Sequence, residues 1–156
     1  MSLGVHFALS APQLQALRAA QGDEQEVLER VRELEEAWDE AALYESHKAW
    51  RPLHRVLSDG GVLELALLGG RRLLPGGRGY LAVLVLPDDV RSVAAGLLPL
   101  SAQWCTERLQ RLAAEGYAGA HDEDALRECW RHLCGLRDFY VRAAEEHRAV
   151  LFTVDA

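Results

Sequence analysis

The sequence predicts an α+β domain, a small sheet carrying helices. Three observations lead there. Only the segments 4–9, 80–86 and 149–154 have the alternating or continuously apolar character of strands. Longer stretches repeat their apolar residues every three or four positions, as helices with one buried face do. The 156 residues, 49% hydrophobic and 26% charged, suffice for one domain with its own core, so 1–156 is read as a single unit. That composition excludes a disordered chain, a collagen and a disulfide knot.

The elements follow in order. Val5, Phe7 and Leu9 alternate with His6 and Ala8, which gives a first strand. Ser10 and Gln13 have capping-box spacing, with Pro12 in the first turn and Gly22 at the end, so a helix lies between. Asp23 opens a second helix over 24–43, whose stripe is Val27, Val31, Leu34, Trp38 and Ala41. The stretch 47–58 reads as helical through Trp50 and His54. Pro52 either marks the first turn of a helix starting near Arg51 or kinks a longer one. Val62 to Leu68 is apolar enough to be buried and reads as a short helix or a strand, leaning to helix, inside a loop-rich middle that holds seven of the 13 glycines. Tyr80 to Leu86 is a strand covered on both faces. Pro87, Asp88 and Asp89 start a helix that Pro99 stops, and Ser101 caps another that ends at Gly116. The longest helix runs from about Glu123 to Glu146, followed by a last strand from Ala149 to Val154. Few strands and many helices give α+β, or a small mixed sheet with helices on both faces. The two terminal strands are expected to be neighbours.

Charge narrows the function classes. The formal net charge is −7, which argues against a sequence-blind nucleic-acid binder. The longest apolar run, Tyr80 to Leu86, is far short of a membrane span. An odd number of cysteines without an export signal points to a reducing cytoplasm. The acid is concentrated. Between Gly22 and Ser46 there are ten carboxylates against Arg30 and Arg32, whereas His47 to Gly79 carries six basic residues against Asp59 and Glu64.

The segment His47-Lys48-Ala49-Trp50-Arg51-Pro52-Leu53-His54-Arg55-Val56-Leu57-Ser58 resembles the signature of the YfbM-like family, small bacterial proteins with a domain of unknown function. Lys48, Trp50, Leu53, His54, Leu57 and Ser58 fall on that pattern. Gly4 to Leu9, Tyr80-Leu81, Pro87 to Val90, Leu136 to Tyr140, Ala143-Ala144 and Ala149 to Leu151 are similar to flanking elements of the family. His47 stands in place of the usual Asp, and Asp59 is inserted before Gly60. The resemblance implies a three-layer arrangement, with the sheet between helices. It brings no established reaction, cofactor or partner.

Five residues are candidates for ligand binding: Lys48, Trp50, His54, Arg71 and Arg72. Trp50 and His54 are i and i+4 on a helix, a flat apolar wall beside a group that titrates near neutrality. The plainer reading makes Trp50, Leu53 and Leu57 core and His54 a buried imidazole bonded to backbone. Gly69-Gly70-Arg71-Arg72 and Gly76-Gly77-Arg78-Gly79 suit a phosphate chemically but match neither phosphate-loop pattern, so a surface loop is the safer reading. Cys129, His132 and Cys134 are close in sequence. About 140° separates the two cysteines around a helix, so packing rather than zinc accounts for them. His121-Asp122-Glu123-Asp124 reads as a helix cap before it reads as a cation site. No metal or cofactor is expected.

Two functions remain as expectations. One is a soluble cytoplasmic binding or interaction domain whose acidic helix docks a basic protein partner. The alternative is a small enzyme or ligand binder acting on an anionic small molecule, at a pocket near Lys48–His54 and the Gly/Arg loop.

Overall fold

The structure is a computed structural model and describes residues 3–75, 79–117 and 122–155. Gly76, Gly77, Arg78 and His121 lie outside the described residues. The chain runs β1 (Leu3–Leu9), α1 (Ala11–Ala20), α2 (Glu24–Ala37), a 3-10 turn (Glu40–Ala42), β2 (Leu43–His47) and α3 (Trp50–Leu57). It continues through a 3-10 helix (Val62–Ala66), β3 (Arg71–Pro75), β4 (Tyr80–Val85), α4 (Pro87–Leu97), α5 (Ala102–Ala114), α6 (Glu123–Glu145) and β5 (Ala149–Asp155).

The strands form one sheet in the order β2-β1-β5-β4-β3. The terminal strands are neighbours, in register from Leu3↔Asp155 to Leu9↔Ala149. The class is α+β, as expected. The expectation of a mixed sheet is corrected, because every pairing is antiparallel. The reason is topological: β1 and β4 run the same way, but β5 inserts between them and opposes both.

Alternation along the strands divides the apolar residues between two cores. Phe7, Leu9, Leu84 and Leu151 face α1 and α2. Ala8, Val85, Val150, Phe152 and Val154 face α3 to α6. Helices therefore cover both faces of the sheet. At the start of α1, the Ser10 amide donates to Gln13 Oε1 at 2.8 Å and the Gln13 amide to Ser10 Oγ at 3.3 Å, the predicted capping box.

Two segments depart from the sequence reading. The expected helix over 24–43 ends at Ala37, where Trp38 adopts φ 40° and packs edge-on against Phe7 at 6.1 Å between ring centroids. Residues 43–47 are then a strand. The glycine-rich middle contains the other edge strand, β3. Edge strands keep charge on their open side, so neither one shows a clean apolar alternation.

One polar group lies at the centre of the core. His6 on β1 is completely buried and stacks on Phe152 with 4.4 Å between ring centroids. Its Nε2–H donates to the Ala66 carbonyl at 2.7 Å, and Tyr140 Oη donates to the same oxygen at 3.0 Å. Nδ1 has no partner among the described residues, which fits a neutral ring. Burial lowers the His6 pKa from 6.5 to about 4, against a smaller opposing effect of the Ala66 bond.

Between pH 6.5 and 4 the unfolded chain takes up a proton at His6 and the folded chain does not. Stability is complete above about pH 6.5 and falls as the pH drops toward 4, by about 3 kcal/mol from this residue. Urea unfolding at pH 7.5 and pH 4 should show that loss in the wild type, and a His6→Phe variant should lose less by about the same amount. Equal losses in the two proteins would refute the assignment.

Candidate functional site

The site begins at the turn after β2. His47 takes φ 50°, which sends the chain from the sheet edge into α3. The helix starts at Trp50, so Pro52 falls in the first turn, where its missing N–H is no loss. Leu53, Val56 and Leu57 anchor α3 in the core. Arg108 of α5 holds its other end, donating from Nε to the Val56 carbonyl at 3.1 Å and from a terminal nitrogen to the Ser58 carbonyl at 2.9 Å. Those carbonyls have no helical partner, so a guanidinium is well suited to them.

The opposite wall is α6. Tyr44 reaches from β2 to place its hydroxyl 2.6 Å from His132 Nδ1 and 3.2 Å from the His132 carbonyl. His132 Nε2 lies 3.1 Å from Glu128 Oε1, and Arg131 binds the same carboxylate at 2.5 Å. With the Nε2–H tautomer, His132 donates to Glu128, and the Tyr44 hydroxyl shares its proton between Nδ1 and the His132 carbonyl. Burial holds the His132 pKa below the usual histidine value, with Arg131 adding to the effect. Burial pushes the Tyr44 phenol up to about 12. The bond from Arg131 holds the Glu128 carboxyl below its usual range. At neutral pH the chain is phenol, neutral imidazole and carboxylate.

Gly135 makes this contact possible. A Cβ there would lie 2.5 Å from Tyr44 Cε1 and 2.7 Å from its hydroxyl. Glycine in mid-helix is ordinarily a cost; here it admits the ring.

Between the two walls lies a cleft of about 590 Å³. His47, Lys48 and Arg51 line one side; Glu128, Arg131 and His132 line the other, over an apolar floor that includes Leu109 and Cys129. Three permanent cations therefore face one carboxylate, in a chain whose net charge is −7.

Of the residues proposed from sequence, Lys48 lines this cleft. Trp50 lies behind it, 6.1 Å from Phe152 between ring centroids, with the Arg51 guanidinium 5.3 Å over its ring. His54 is one turn further along and half-buried. Its own carbonyl accepts from the Ser58 hydroxyl at 2.6 Å, and the same hydroxyl is 3.3 Å from Nε2. Burial keeps the His54 pKa low, while Glu64 opposes and Arg55 and Arg72 add to the lowering. Arg71 and Arg72 are exposed on β3, opposite Leu84 and Val83, and so point to opposite faces of the sheet. β2 and β3 are the two edges of a five-stranded sheet, about 19 Å apart. The Gly/Arg segment is therefore remote from the turn that carries Lys48, although Arg72 lies close enough to His54 for its charge to act on the ring.

Sequence reading missed Tyr44, Glu128 and Arg131, and weighed His132 only as a zinc ligand. The available signal was the i, i+4 spacing of Glu128 and His132. Among the described residues no three His, Cys, Asp or Glu side chains converge as a metal site. No helix of the described residues is long and apolar enough to cross a membrane.

Fold and cleft together define a three-layer α+β domain with a basic-rimmed groove between a sheet edge and its longest helix. Residues 1–153 match the family described as a domain of unknown function (DUF1877), and the chain belongs to that family. Its fold is similar to the crystal structure of a protein of unknown function, YfbM from Escherichia coli. The TM-score is 0.68 at 13% identity, over 97% of this chain and 99% of that one. No curated protein matches the chain.

The Tyr44–Gly135 contact predicts a reversed substitution effect. In an open helix Gly→Ala stabilises by about 1 kcal/mol. Here Gly135→Ala should destabilise by about 1–3 kcal/mol in urea unfolding, because the ring must move. In a Tyr44→Ala background the same change should be neutral or stabilising.

Proposed function

We propose that this domain binds a small anionic molecule in the cleft between the β2–α3 turn and α6. The observation that carries the reading is the gathering of Lys48, Arg51 and Arg131 around an apolar floor, in a cleft of about 590 Å³, on an otherwise acidic protein. A cleft of this size suits a metabolite-sized ligand. Arg131 offers a planar fork to a carboxylate or phosphate, and Lys48 a mobile point charge. His132 contributes a neutral imidazole fixed by Tyr44 and Glu128. We place this activity in the cytoplasm.

Titration of the labelled protein with inorganic phosphate and with citrate, followed by amide chemical shifts, tests the reading. Saturable shifts should cluster at 46–52 and 128–132. Lys48→Ala combined with Arg131→Ala should weaken them at least tenfold. Shifts spread over all surface arginines, or unchanged in the double variant, would overturn it.

A second reading rests on α2. Glu24, Glu26, Glu29, Glu33 and Glu36 are exposed there, while Val27, Val31 and Leu34 face the sheet. Such a face suits a basic protein partner. Capture of one partner at low salt and its loss at high salt should both disappear when Glu26, Glu29 and Glu33 are replaced by Gln. Retention by the substituted protein would exclude α2 as the docking face.

A further inference from the structure

Where α5 lies against α6, two cysteines meet. Cys105 Sγ and Cys129 Sγ are 3.7 Å apart, and both side chains are buried in the core on that side of the sheet. Disulfide formation requires the sulfurs to close to about 2.05 Å, a movement that small side-chain rotations supply when the Cβ atoms already face each other. Cys129 also forms part of the cleft floor, so a small solute entering the cleft reaches its side of the pair. Cys134 is further round α6 and half-exposed, on a different side of the helix.

We infer that Cys105 and Cys129 form an oxidisable dithiol, a modification site that hydrogen peroxide converts into an intramolecular disulfide joining α5 to α6. The electrons and atoms balance in two steps. The Cys129 thiolate attacks one peroxide oxygen, the O–O bond breaks, and hydroxide leaves to become water, giving a sulfenic acid on Cys129. The Cys105 sulfur then attacks the Cys129 sulfur, the S–O bond breaks, and a second water leaves with the Cys105 proton. Two thiols and one peroxide give one disulfide and two waters, and the protein loses two hydrogens. The contact with the Cys105 sulfur, and then burial, raise the Cys129 pKa, while the same contact lowers that of Cys105. Attack begins at Cys129 because it is the member that lines the cleft, so the first step is slow at neutral pH and quickens as pH rises.

The experiment uses the full, folded, reduced chain. It is treated with excess hydrogen peroxide at two protein concentrations, quenched with N-ethylmaleimide and digested with trypsin without reductant. Arg91, Arg108, Arg127, Arg131 and Arg137 place the three cysteines on three different tryptic peptides. The expected product links Ser92–Arg108 to Glu128–Arg131, two hydrogens lighter than the sum. Its yield is independent of protein concentration, and Cys134 remains alkylated. Cys134→Ser, which leaves the buried pair intact, should give the same link. Three outcomes would overturn the inference: cross-links through Cys134 that grow with protein concentration, Cys105 and Cys129 both remaining alkylable in the folded protein, or the internal link appearing only in urea.

Discussion

The Ala66 carbonyl accepts from two buried donors, His6 Nε2 and Tyr140 Oη, and the architecture is organised around it. His6 belongs to β1, Ala66 to the 3-10 helix, and Tyr140 to α6, so one oxygen fixes three elements far apart in sequence. A buried donor without an acceptor costs about 1–3 kcal/mol. Any shift of α6 relative to β1 would leave at least one of these donors unsatisfied. The constraint also sets the charge state of the core. A cationic His6, stacked on Phe152 and ringed by apolar side chains, has no carboxylate partner, so the ring is neutral at neutral pH and stays so well into the acid range.

The cleft follows from the same fixed helix. With α6 held at Tyr140, its earlier turns pass the β2 edge, and Gly135 lets Tyr44 lie close enough to bond His132. β2 is otherwise an edge strand paired only to β1. The Tyr44–His132 bond couples that edge to α6 and orients the imidazole toward Glu128. On the other wall Arg108 holds α3 by its last carbonyls. The groove is the space left between two elements that are each tied down elsewhere, which is how a rigid pocket arises without dedicated walls.

Local chemistry was legible in the sequence; long-range pairing was not. Ser10 and Gln13 announced a cap because both partners lie within four residues. The alternation at Val5, Phe7 and Leu9 and the long stripe from Leu126 to Ala144 reported strands and a helix buried on one face. β2 was misread because Trp38 and Ala41 continued a helical rhythm that the left-handed turn at Trp38 interrupts. That turn is set by packing against Phe7, a contact that no local pattern encodes. β3 was hidden because Arg71 and Arg72 protect an open edge and so look like loop. The five candidate residues came from one contiguous stretch and its neighbour, whereas the cleft joins 46–52 to 128–132. Spacing in sequence says nothing about that junction; only the insertion of β5 between β1 and β4, and the path of α6 that leads into it, creates it.

Charge separation across the sheet gives the molecule two independent faces. The carboxylates of α2 lie on the outside of one helical layer; Lys48, Arg51 and Arg131 lie in the other. A helix packed on a sheet occupies about 10 Å, so the two groups are separated by more than the ~8 Å over which charges act at physiological ionic strength. The net charge of −7 therefore does not cancel the local excess of cations in the cleft. The two charged faces are electrostatically separable, so neutralising one leaves the potential at the other intact. Within the cleft, the Arg131–Glu128 pair sets the remaining condition. The Arg131 guanidinium already holds a carboxylate, whereas Lys48 has no such internal partner among the described interactions, so these two cations of the cleft differ in how far their charge is already compensated.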